Sequence, residues 1–160
     1  MRLDTWTAHE DLRYDRTLLG DLTALHFLDA KQSAIILGPV GVGKTHLASA
    51  LDHIAIQRRH TVLFARADKL FTRLRAARLD NILEAEIRWL AAIDVLVIDD
   101  FALRPLDAPN TSDFYEITVE RNGTKTTIVT FNREPAEWLT MTADTLLTQS
   151  AIDRLTLCFP

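Results

Sequence analysis

The chain has 160 residues, 48% of them apolar and 25% charged, with a formal net charge of −4. That length suffices for one domain with its own core, and these ordinary proportions exclude a disordered or low-complexity chain. Mild net acidity excludes a surface that is basic all over, so any contact with nucleic acid has to come from a local patch. A single cysteine, Cys158, excludes an intrachain disulfide and a cysteine-based zinc site. The first twenty residues carry no apolar core of signal-peptide length, and no stretch approaches eighteen apolar residues in a row. The expectation is a cytoplasmic protein with no membrane partner. No repeat and no Gly/Ser/Pro-rich linker divides the chain, so 1–160 reads as one domain, with a lead-in segment and helix over 1–32 and a core over 33–160.

In chain order, "RTLLGDLTALHFLDA" from Arg16 to Ala30 places Leu18, Leu22, Leu25 and Leu28 at helical spacing. The short strand "SAIIL" follows, then a glycine-rich turn, then "KTHLASALDHIAIQRR", a helix with Leu47, Leu51 and Ile54 on one face. Arg58 and Arg59 close that helix at its negative dipole end. "TVLFA" is the next strand; "DKLFTRLRAARL" resumes the helical period with Leu70, Leu74 and Ala77, and "ILEAEIRWLAA" is a further helix. "DVLVIDDF" is a strand buried on both faces that ends in acids. "TSDFYEITVERN" reads as a helix capped by Thr111 or Ser112 and stopped at Asn122-Gly123. "TTIVTFN" is the last strand, "PAEWLT" a short helix opened by Pro135, and "ADTLLTQSAIDRL" the final helix. Strands that alternate with helices, several of them unbroken apolar runs, predict an α/β fold with a parallel sheet sandwiched between helices.

The turn "GPVGVGKT" fits G-x-x-x-x-G-K-[ST] between a strand and a helix. Glycines let the backbone approach a ligand without Cβ clashes, and successive N–H groups at a helix N-terminus form an anion nest. The predicted nucleotide cradle is therefore Gly38, Pro39, Val40, Gly41, Val42, Gly43, Lys44 and Thr45, with His46 directly after it. Lys44 would contact the β- and γ-phosphates, and the Thr45 hydroxyl would ligate Mg²⁺. A Gly/Pro turn that merely precedes an amphipathic helix matches four fixed positions only rarely.

Such a loop needs a carboxylate at a neighbouring strand end to hold the metal. Asp99 comes first after the apolar run "VLVI" and is the predicted metal ligand; Asp100 is the candidate general base for an attacking water. On their own, two aspartates at a strand exit read as turn formers, and it is the glycine loop that makes them functional candidates. Asn132, at the end of "TTIVTFN", could orient the water or touch the γ-phosphate, and reads equally as an Asn in a strand-to-helix turn.

Together "GPVGVGKTHLA", "VLVIDDF" and "IVTFNREPAEW" resemble the ATPase domain of IstB-like transposition helper proteins, AAA+ ATPases allied to the DnaC-type loaders of the replicative helicase. The likeness runs over roughly 18–155, with "GKTHLA" and the double aspartate as its most telling details. It implies ATP and Mg²⁺ as cofactors, hydrolysis of ATP to ADP and phosphate, duplex DNA and a transposase as partners, and a homo-oligomer. A helicase is the alternative partner. Asn132 takes the sensor 1 position by this resemblance, Asp100 the place of the usual catalytic glutamate, and Arg154 in "AIDRL" the place of an arginine finger that reaches a neighbouring subunit. There are departures from the family pattern. Only a short lead-in stands where the family has a partner-binding segment, and the chain stops at "TLCFP", where family members continue into a strand and a helical lid. Phe131 replaces a usual serine. These departures lead to the expectation of a member shortened at both ends, with the lid absent, in which nucleotide binding is expected to persist and hydrolysis is the step open to impairment.

Lys69, Arg73, Arg75 and Arg78 give one helix a basic side, readable as a DNA contact or as a solvated face balanced by Glu84 and Glu86. His46 and His53 stand at no metal-ligand spacing, and Trp6, Trp89 and Trp138 are too scattered to form a stacking platform. Two rival classes remain at this level: a small-molecule kinase, which would need an arginine-rich lid after Asn132, and a module that binds nucleotide without hydrolysing it.

Overall fold

The computed structural model describes residue 20, residues 24–132 and residues 135–156. The beginning of the lead-in helix with Leu18 and Leu22, Trp6 and Cys158 lie outside the described residues. Four strands, β1 (Ala34–Leu37), β2 (Val62–Arg66), β3 (Val95–Phe101) and β4 (Thr126–Phe131), make one parallel sheet in the order β1-β4-β3-β2. The helices are α1 (His26–Asp29), α2 (Lys44–Gln57), α3 (Ala67–Leu79), α4 (Leu83–Ala92), α5 (Ala108–Arg121), α6 (Pro135–Trp138) and α7 (Thr145–Thr156).

The strands are continuous apolar runs because both faces of the sheet are covered. Val95 and Val97 of β3 pack with Leu25, Phe27, Ala48 and Leu51 from the α1 and α2 side. Leu96 and Ile98 point the other way, into a larger core built by α3 to α7. On β4, Ile128 belongs to the first core and Val129 and Phe131 to the second. Phe131 is fully buried, its ring 4.2 Å from Trp138 and 5.9 Å from Phe101 between centroids. The aromatic residue at this position therefore fills the core on the side away from α2.

The alternation of β3 breaks at one point. Ile98 pairs with Val129 and Phe101 with Phe131, so Asp99 and Asp100 together oppose the single residue Thr130. This is a β-bulge, which restores Phe101 to the same face as Ile98 and frees Asp100 from the pleat. Asp100 takes up left-handed backbone (φ 54), a conformation that aspartate tolerates better than most residues.

Three local expectations are corrected. Helix α5 starts at Ala108, capped by Asp107, whose carboxylate accepts from Asn110 N at 2.9 Å. Pro109 sits inside the first turn, where its missing N–H is harmless, so the cap lies before the proline rather than at Thr111 or Ser112. Thr111 is buried and donates back to Asp107 O at 2.8 Å. On α2 the buried face is Ala48, Leu51 and Ala55, with Leu47 and Ile54 only at its margins, because the small side chains let the helix lie close on the sheet. In the lead-in helix, Leu25 adopts φ 56, which interrupts the helical period just before α1.

Two buried polar side chains stand out. Arg121, 1% exposed, donates to Leu90 O at the end of α4, to Ile93 O, to Thr126 O and to Thr127 Oγ1. Asp52, on α2, is 6% exposed and its Oδ1 has no hydrogen-bond partner among the described residues. Burial raises its carboxyl from an ordinary 3.8 to about 7. A raised carboxyl favours the protonated folded chain, so its contribution to stability is present below the unfolded value and is lost as the pH rises towards 7. The expected result is that the urea midpoint of the wild type falls between pH 5 and pH 8, and that Asp52→Asn flattens this fall and is the more stable of the two at pH 8. Equal slopes for the two proteins would refute it.

Candidate functional site

The site lies where β1, β3 and β4 end beside the start of α2. Gly38 has no room for a side chain: a Cβ there would sit 2.9 Å from Val42 Cγ2. Gly43 caps α2 in left-handed backbone (φ 93), a turn that a Cβ would strain. Between them the loop leads directly into the N-terminus of α2, the positive end of the helix.

Lys44 opens α2 and folds back, donating from Nζ to Pro39 O at 2.6 Å. It is only 7% exposed, and burial lowers its pKa; Asp100, and after it Asp99, oppose that shift. Among the described residues this partly desolvated ammonium has a neutral carbonyl as its one hydrogen-bond partner, a weaker partner than an anion would be. Thr45, one residue on, donates from Oγ1 to both carboxylate oxygens of Asp99, at 3.0 and 3.1 Å. Asp99 is 3% exposed and accepts from a second hydroxyl, Thr130 Oγ1, at 2.5 Å.

A cleft of about 500 Å³ is lined by Gly41, Lys44, Thr45, His46, Asp100 and Asn132, among others. Its volume falls within the range of small-molecule sites. The structure thus brings Lys44, Thr45, Asp100 and Asn132 to one cleft, with Asp99 bonded to Thr45 directly behind it. Asn132 arrives there by strand alternation: it lies two residues after Thr130, whose side chain faces α2. The Thr45 hydroxyl and the Asp99 carboxylate are hard oxygen donors already in contact, a donor set that suits Mg²⁺. Val40 is 81% exposed at the mouth of the cleft, and His46 Nε2 is buried without a partner among the described residues.

Arg154 is not brought to the cleft. Its guanidinium donates to Ser150 O at 3.0 Å and to Ser150 Oγ, and it lies 5.7 Å from the Tyr115 ring centroid. The basic side of α3 is largely paired within the chain. Arg73 meets Glu86 at 2.9 Å and stacks 4.3 Å from the Trp89 ring, Arg75 meets Asp107 at 3.0 Å, and Arg78 meets Asp113 at 2.6 Å. Lys69 has no ion pair among the described residues. Sequence reasoning missed Thr130, Ser49 and Leu103, of which the last two line the cleft. Ser49 stands one helical turn after Thr45, and Thr130 one alternation before Asn132, so spacing alone could have found both.

A strand, a glycine loop and a helix, beside an acidic strand end in a parallel sheet, define a P-loop nucleotide-binding fold, and solved structures share that fold. The DnaC helicase loader superposes with a TM-score of 0.80 at 21% identity, over 96% of this chain and 92% of that one. The replication initiator DnaA, bound to AMPPCP and single-stranded DNA, gives a TM-score of 0.77 at 20% identity, over 93% of this chain and 46% of that one. At these identities the likeness is one of fold. The chain belongs to the family described as IstB-like ATP binding protein, which matches residues 5–158. Relatives named as ATP-binding proteins of insertion sequences include one from Mycobacterium tuberculosis, 40% identical over 86% of this chain and 55% of its own length. Another, of insertion sequence IS21 in Pseudomonas aeruginosa, is 36% identical over 88% of this chain and 53% of its own. A third, of IS5376 in Geobacillus stearothermophilus, is 31% identical over 96% and 61%. The chain thus spans little more than half the length of these relatives.

Proposed function

We propose that this chain binds ATP with Mg²⁺ in the cleft over α2 and hydrolyses it as the motor domain of a DNA-associated helper of a transposase. The observation that carries the reading is the convergence of Lys44, Thr45, Asp100 and Asn132 on one cleft, with Asp99 held against Thr45. The names of the relatives, all tied to insertion sequences, support transposition as the process served.

In this reading Lys44 Nζ leaves Pro39 O for the β- and γ-phosphates, and the loop amides hold the remaining oxygens. Mg²⁺, held by the Thr45 hydroxyl and the Asp99 carboxylate, would neutralise charge on the phosphates. Asp100, at the rim, accepts the proton of the attacking water, and Asn132 holds that water in line. Arg154 acts only across a contact with a second copy, since it does not line the cleft of its own chain. Duplex DNA and a homo-oligomer belong to the same proposal, as does a cytoplasmic location. Among the described residues no helix is long and apolar enough to cross a membrane.

The test is phosphate release with and without duplex DNA, for the wild type and Asp100→Asn. The variant is expected to bind ATP as the wild type does and to release phosphate roughly 100-fold or more slowly. Equal release rates would remove Asp100 from the chemistry, and no release from the wild type under any condition would leave only a binding module.

A further inference from the structure

Two adjacent residues of a regular strand point to opposite faces, so Asp99 and Asp100 could not both serve a site on the α2 side of an unbroken β3. The bulge resolves this, and Thr130 holds it in place. Thr130 lies on β4 opposite both acids and is fully buried. Its Oγ1 donates to Asp99 Oδ1 at 2.5 Å and accepts from the backbone N–H of Asp100 at 2.9 Å. One hydroxyl thus meets the carboxylate that Thr45 also contacts and, at the same time, satisfies the amide that the bulge releases from the strand ladder. Neither bond is available to an apolar side chain of the same shape.

We propose that Thr130 is a positioning residue of the nucleotide site, which sets the Asp99 carboxylate for the metal and aims Asp100 into the cleft. This role rests on the ATP·Mg²⁺ reading of the site. Thr130 is fully buried and does not line the cleft, so it acts through its two neighbours. A buried partner of a metal-binding carboxylate governs metal affinity more than nucleotide affinity, and its loss commonly costs tenfold or more in the former. The signature is therefore a split between two quantities that general unfolding would move together.

The experiment compares the wild-type chain with Thr130→Val, Thr130→Ala and Thr130→Ser. ATP affinity is measured in EDTA, then again as Mg²⁺ is titrated, with phosphate release followed in the same samples. In Thr130→Val the Mg²⁺ midpoint is expected to rise roughly tenfold and phosphate release to fall by a similar factor. ATP affinity in EDTA stays within about twofold, and Thr130→Ser, which keeps the hydroxyl, stays close to wild type on every measure. Thr130→Ala gives the same reading if the valine variant does not fold. A wild-type Mg²⁺ midpoint and release rate in the folded valine or alanine variant overturns the role. Equal losses in EDTA and in Mg²⁺ also overturn it, by showing a purely structural residue. A wild type that binds no ATP at all fails at a different step: it refutes the nucleotide reading itself, and with it this role.

Discussion

Lys44→Ala is expected to weaken ATP binding by about 100-fold or more while leaving the empty chain folded. A charge-assisted hydrogen bond contributes about 1.5–3 kcal/mol, and each 1.4 kcal/mol is about tenfold in affinity. In the proposed complex the lysine would face a triphosphate from inside the loop, which puts the loss towards the upper end of that range. The effect on the empty chain is smaller for a specific reason. The ammonium is buried at 7% exposure with a carbonyl as its direct partner, and burial already lowers its pKa. Alanine removes that desolvation cost together with one hydrogen bond, so the two changes largely offset each other. Calorimetric titration of ATP·Mg²⁺ reads the first quantity and thermal unfolding without nucleotide the second. A variant that binds ATP as tightly as the wild type would mean that the loop does not hold phosphate through Lys44.

Arg121→Met is expected to destabilise the chain by on the order of 3 kcal/mol. The guanidinium ties the end of α4 to the start of β4 by donating to Leu90 O, to Ile93 O at the C-cap of α4 and to Thr126 O. Burial pushes its pKa down to about 10 against the pull of Asp94, so the charge itself is held at some cost. A methionine recovers that cost but removes every one of these hydrogen bonds, and a buried acceptor that loses its donor costs about 1–3 kcal/mol. The lost bonds outnumber the single charge, so the balance is destabilising. In a chain of this length that corresponds to a Tm lower by roughly 6–12 °C. Arg121→Lys would not restore it, because one ammonium cannot span the end of a helix and the start of a strand as the planar guanidinium does. A Tm within about 2 °C of wild type would refute the assignment.

The elements that could be read from the sequence were those whose signal is local. The helical period of Leu70, Leu74 and Ala77 survives in α3, where all three are buried, and the unbroken run "VLVI" is β3, covered on both faces. The cap of α5 misled: Thr111 or Ser112 reads as the start of the helix, but the Asp107 carboxylate caps it a turn earlier, with Pro109 inside the first turn. Leu25 misled in the opposite way, because its spacing is helical while its backbone is left-handed. The basic residues of α3 read as a patch from composition, yet Arg73, Arg75 and Arg78 find acids that lie on other elements.

By itself the sequence determined the α/β alternation and the glycine loop with Lys44 and Thr45, since period, turn chemistry and a fixed spacing are properties of neighbouring residues. It also placed acids and an amide at two strand ends. Only the tertiary structure decided that these ends meet in the order β1-β4-β3-β2, that Asp99 and Asp100 share a bulge opposite Thr130, and that Arg154 stays outside the cleft. Register and strand order depend on which buried faces pack together across the whole chain, and one residue of slip would turn every side chain of a strand to the opposite face.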